Sequence, residues 1–129
     1  MERPGIRFRG PVLDAPSGSA VLELAAFYER LLGWRITQSD PGGWALLESG
    51  TGQKIEIQGL PDYRRPTWPN TAGEQQMMLH LDFATDDVEA AVAWAVDAGA
   101  SLAEVQPTAH VRVLLDPAGH PFCLFVGAA

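Results

Sequence analysis

Apolar and polar positions along this chain follow two periods, and the switch from one to the other recurs in the same order in each half. PVLDAP, a short apolar stretch, leads into SAVLELAAFYERLLGW, where Val21, Leu24, Ala25, Tyr28, Leu31 and Leu32 return at helical spacing and Gly33 supplies a stop. The pattern predicts a strand followed by an amphipathic helix. WRITQS, WALLES and QKIEIQ come next, separated by the turn formers PGG and GTG, and read as antiparallel strands. In the last of them Ile55 and Ile57 share one face, and Lys54, Glu56 and Gln58 share the other, because strand side chains alternate.

The second half repeats the order. MLHLDFAT places Leu79, Leu81 and Phe83 on one face of a half-buried strand, with His80 and Asp82 on the opposite face. Asp86 or Asp87 is the expected N-cap of a helix through VEAAVAWAVDAGA, with Val88, Ala91, Val92, Ala95 and Val96 on its apolar side and Gly99 as the stop. SLAEVQ, HVRVLLD and PFCLFV supply three further strands, the last two separated by PAGH. Setting Gly52 against Gly119 brings Glu56 of KIEI against Cys123 of FCLF. The chain therefore reads as an α+β fold of two tandem β-α-β-β-β modules, the first over about 6–58 and the second over about 78–127.

Between the modules, at about 59–77, Pro61, Pro66 and Pro69 exclude a persistent helix or central strand. This linker carries Tyr63, Arg64, Arg65 and Trp68, which suit either a loop that tucks its aromatics onto the surface or a lid or dimer-contacting arm.

Composition narrows the function. With 129 residues, 47% of them hydrophobic and 19% charged, the chain can bury one core without further staples. The formal charge of -7 and the near absence of lysine oppose nucleic-acid binding, and Arg3, Arg7 and Arg9 read as a solvated edge. A single cysteine makes no internal disulfide, and MERPGIRFRG lacks a leader's apolar stretch, so a cytoplasmic setting away from membranes is expected. SGTGQK lacks the spacing of a phosphate loop, and neither a nucleophile elbow nor HExxH occurs.

AAFYERLLGW, HLDFATDD and DPAGHPFCLF, in paired modules, resemble the vicinal oxygen chelate superfamily, which includes glyoxalase I, bleomycin-resistance proteins and extradiol dioxygenases. The resemblance runs from Pro11 to Val126 and implies two curled mixed sheets around a cleft, commonly within a homodimer. Metal-using members place one ligand on the first and one on the last strand of each module, and a divalent ion, variously zinc, nickel, manganese or iron, acts on vicinal oxygens as a Lewis acid. Carried onto this chain, the resemblance makes Glu56 and His80 metal ligands, with Glu56 also the candidate base. It offers no ligand within Gly10 to Val12 and puts Cys123 where relatives carry glutamate.

Two functions of different class follow as expectations. One is a glyoxalase-like protein that binds a small organic molecule in the cleft, with an incomplete metal site and no strong catalysis. The cleft would be lined by Trp44, Gln58, Trp68, Asp82 and Phe122, and would suit an aromatic or cationic ligand. The other is a divalent-metal enzyme, a lyase or isomerase, using His80, Glu56 and Cys123. A dimerising interaction module is a further alternative. Cys123 is otherwise a small hydrophobe in a sheet, and His110 and His120 read as solvated.

Overall fold

The structure is a computed structural model and describes residues 1–127. Its first module runs β1 (Val12–Pro16), α1 (Ser19–Leu32), β2 (Arg35–Asp40), β3 (Trp44–Glu48) and β4 (Lys54–Leu60). The second runs β5 (Leu81–Thr85), α2 (Val88–Ala98), β6 (Ser101–Leu102), β7 (Val111–Leu115) and β8 (Pro121–Val126). Each module folds its strands into a four-stranded mixed sheet, ordered β1-β4-β3-β2 and β5-β8-β7-β6. In both, the first strand lies parallel to the last, and the remaining pairings are antiparallel. The sheets do not close into a barrel.

One core joins the two modules, and α1 is its centre. Val21, Leu24, Ala25, Phe27 and Tyr28 form the buried face of α1, against Leu13, Ala45, Leu47, Ile55 and Ile57 of the first sheet. The same helix reaches the second sheet: the rings of Phe27 and Tyr28 lie 5.9 and 6.5 Å from that of Phe122, and Tyr28 lies 6.3 Å from Phe83. Offset and edge-on contacts of this kind favour one relative placement of the modules. By contrast α2 is built from small residues and buries Ala95 alone completely. Trp94 ties it to α1, with its indole N–H on the Arg30 carbonyl at 3.1 Å and the Arg30 guanidinium over its ring.

Local chemistry sets the element ends. Gly33 adopts the left-handed conformation and donates its N–H to the Glu29 carbonyl, which terminates α1. Asp87 caps α2 by accepting from the Ala90 N–H at 3.1 Å.

Two strands are shorter than the pattern predicts. β5 begins at Leu81, and Leu79 is exposed rather than paired with Leu81 on the buried face. β6 retains only Ser101 and Leu102 of SLAEVQ. Beyond it the Gln106 side chain joins the ladder: its amide accepts from the Val113 N–H and donates to the Val113 carbonyl. The Val113 carbonyl also accepts from the Ala103 N–H at 3.0 Å, so the Gln106 amide adds to one remaining backbone bond beyond β6.

The linker lies across the second module. Tyr63 donates to the Ala118 carbonyl at 2.6 Å, Arg65 to the Pro117 carbonyl at 3.3 Å, and the Trp68 indole to the Val105 carbonyl at 3.0 Å. The Arg65 side chain occupies the space a Cβ at position 119 would need, and Gly119 has φ +94°, so only glycine fits under the linker. Among the described residues, no helix is long and apolar enough to cross a membrane.

Candidate functional site

Each sheet buries one face under the helices and leaves the other open, so the residues available for chemistry follow from strand parity. On the first sheet, Glu56 stands between Val12 and Leu46, and Gln58 stands between Asp14 and Trp44. An indole, an amide and a carboxylate thus form one row across three strands. Glu56 does not stand free: its carboxylate is paired with the Arg9 guanidinium.

On the second sheet, Asp82 is the ladder neighbour of Cys123, and the His80 Nε2 lies 3.2 Å from Asp82 Oδ1. The ligand atoms of His80, Asp82 and Cys123 all lie within 4.8 Å of one another. Burial pushes the Cys123 thiol up, and the Asp82 carboxylate beside it adds to the effect. The thiol is therefore protonated at neutral pH and serves as a ligand only where a metal displaces its proton.

The module repeat holds at these positions. Glu56 and Cys123 occupy equivalent places, each on the open face of a last strand beside a first strand. Val12, the first-strand neighbour of Glu56, offers no donor atom. The expected trio of His80, Glu56 and Cys123 is not gathered: Glu56 lies on the other sheet with Arg9, and Asp82 takes its place beside His80 and Cys123. A nitrogen, an oxygen and a sulfur donor fit part of a zinc-type tetrahedral shell, with a position open for substrate.

Other expectations need correction. Phe122 does not line a cleft; it is wholly buried among Phe27, Tyr28 and Phe83, because its parity in β8 points it under the helices. The Trp68 indole donates to the Val105 carbonyl of the second module. Cys123 is half-buried on the open face. Arg9, expected to be merely solvated, neutralises Glu56. His110 is exposed as expected, whereas the His120 side chain is only 19% exposed.

His120 belongs to a polar cluster that the sequence pattern did not reveal. Asp116 is 1% exposed and accepts five contacts: Tyr28 OH at 2.7 Å, the N–H groups of Ala118 and His120 at 3.0 and 2.9 Å, and His120 Nδ1 at 3.1 and 2.8 Å from its two oxygens. Burial, followed by the Asp116 charge, holds the Tyr28 hydroxyl well above its ordinary range. Burial pushes Tyr63 up to about 12. The available signal was Tyr28 itself: a tyrosine on an otherwise apolar helix face needs a partner for its hydroxyl.

The sequence model of the Glyoxalase-like domain family matches residues 12–125, both modules from the first strand to the last. The chain belongs to the glyoxalase-like domain family. This places it in the vicinal oxygen chelate superfamily and accounts for the repeated modules. Several solved structures share its fold. A glyoxalase family protein from Enterococcus faecalis is 21% identical, with TM-score 0.63 over 92% of this chain and 96% of its own. A possible glyoxalase from Bacillus cereus is 12% identical, with TM-score 0.66 over 94% and 99%. A glyoxalase/bleomycin resistance protein/dioxygenase family enzyme from Burkholderia phytofirmans is 22% identical, with TM-score 0.59 over 88% and 94%. At these identities the likeness of the glyoxalase-like chain to them is one of fold. No curated protein matches it in sequence.

Proposed function

We propose that this glyoxalase-like protein binds a small aromatic or cationic organic molecule against the open sheet faces, with an incomplete metal set and no strong catalysis. The observation that carries this reading is the row of Trp44, Gln58 and Asp14 across three strands. The indole supplies a stacking face, the amide a directional hydrogen bond, and the carboxylate a counter-charge for a cation. Arg9 on Glu56 and the apolar Val12 beside it remove two of the four expected ligand positions from metal chemistry.

A second copy of the chain closes the cleft in this reading. Val12 is exposed on the open face, and Ile6 and Phe8 of the preceding segment are exposed as well, an apolar supply suited to burial between copies. Sedimentation equilibrium tests this, with a dimer expected and a monomer at high micromolar concentration opposing it.

Titration with the aromatic cation 1-methylquinolinium, read by tryptophan fluorescence, tests the binding itself. Saturable quenching that is lost in Trp44→Phe supports the row as the site. Quenching that rises linearly without saturation overturns it.

The cluster of His80, Asp82 and Cys123 favours a second reading, a metal-dependent lyase or isomerase. An ion held by those three residues would supply Lewis-acid polarisation of a substrate oxygen. His80 and Asp82 hold each other in position for it, and Cys123 must give up its proton.

A further inference from the structure

His120 faces a cavity that shares only Asp14 with the open-face rows of the two sheets. The cavity measures about 410 Å³, within the range of small-molecule sites. The linker roofs it with Asp62, Tyr63 and Arg64, the segment before β5 contributes Met77 and Met78, and Asp14 and His120 complete it. Neither Glu56 nor Cys123 lines it.

The proton inventory around His120 is restrictive. Asp116 already accepts from Tyr28 and two backbone N–H groups, so a neutral His120 that donates to it carries its proton on Nδ1, 2.8 Å from Asp116 Oδ2. That leaves Nε2 as an acceptor. Its one protein neighbour is the Tyr63 hydroxyl at 3.4 Å, and the Tyr63 proton is already committed to the Ala118 carbonyl at 2.6 Å. In that tautomer the Nε2 lone pair has no donor among the described residues, and the ring is held in orientation by a carboxylate that is fixed in turn by Tyr28 and two backbone N–H groups.

A cavity wall with an oriented, undonated acceptor selects for a ligand that brings a donor. Two carboxylates, Asp14 and Asp62, line the same cavity against the single guanidinium of Arg64, and neither has an ion-pair partner among the described residues. Met77, Met78 and Leu60 supply apolar contact for a short carbon chain. We propose that the cavity between the linker and His120 is a binding site for a small organic ammonium ion, whose N–H donates to His120 Nε2 and whose charge faces Asp14 and Asp62. The site shares Asp14 with the Trp44 row and is otherwise built from the linker, the segment before β5 and His120.

The test uses n-butylammonium chloride and sodium butyrate as paired probes, followed by long-range nitrogen–proton NMR of the histidine rings on the whole chain. Saturable displacement of the His120 Nε2 resonance by n-butylammonium, unaltered in Trp44→Phe, is expected. Asp62→Asn and His120→Gln should each weaken it, His120→Gln by about tenfold, as loss of one hydrogen bond to a charged group implies. Asp62 is exposed, so its variant reports even where His120→Gln disturbs the turn. Saturation by butyrate as tight as that by n-butylammonium, a shift that fails to saturate, or an Asp62→Asn variant that binds like the parent overturns the proposal.

Discussion

Asp82 and Cys123 stand side by side across the parallel β5–β8 ladder, which turns the chain's single thiol toward a carboxylate instead of the core. Burial and that carboxylate both favour the neutral thiol. Alkylation by iodoacetamide at pH 8, followed by mass spectrometry, should run several-fold slower than for a free cysteine peptide, since the thiolate is the nucleophile. Asp82→Asn should speed it. A parent rate equal to the peptide's would show that Asp82 does not govern the thiol.

The buried Asp116 cluster predicts a stability hierarchy. Asp116→Ala leaves the Tyr28 hydroxyl and two backbone N–H groups without an acceptor and should cost about 3–5 kcal/mol, whereas Tyr28→Phe removes one donor and should cost about 1–2 kcal/mol. Urea unfolding with an unchanged slope measures both. Equal, sub-kilocalorie losses would mean the cluster is not closed from water.

Tyr28 and Tyr63 also set an alkaline limit. Both hold their protons more tightly in the folded chain than a free tyrosine does, Tyr63 up to about 12. As pH rises past about 10 the unfolded chain loses these protons first, so folded stability falls with rising pH. Melting temperatures should decline between about pH 10 and 12 and should decline less steeply in Tyr63→Phe. An unchanged slope in that variant, and in Tyr28→Phe, would count against the assignment.

Phe122 and Trp44 should behave oppositely. Phe122→Ala empties the aromatic cluster that joins α1 to the second sheet and should cost about 3–5 kcal/mol. Trp44→Phe, half-buried on the open face, should leave the melting temperature within a few degrees while removing ligand-dependent quenching. The reverse pattern, measured by calorimetry and fluorescence, would place Phe122 at a ligand.

Periodicity made the fold legible because both modules alternate their faces clearly. Ile55 and Ile57 against Glu56, and Leu124 against Cys123, announce which side meets the helices. Phe122 has the parity of Leu124, and that position, not its aromatic character, decides its burial. The site was less legible because it depends on register and on distant partners. Nothing local to Glu56 foretells Arg9, and nothing local to Cys123 foretells that Asp82 lies beside it. Asp116 looks like an ordinary turn residue in DPAG, and its burial arises only once Tyr28 arrives from 88 positions away.

Metal stoichiometry decides between an abandoned and a working chelate site. Protein purified without chelator and analysed for zinc, nickel, manganese and iron should retain none at one ion per chain, and titration with zinc should give no saturable change at the His80 imidazole. One ion per chain, lost on His80→Ala or Asp82→Ala, would contradict the binding-protein reading and establish the metal enzyme in its place.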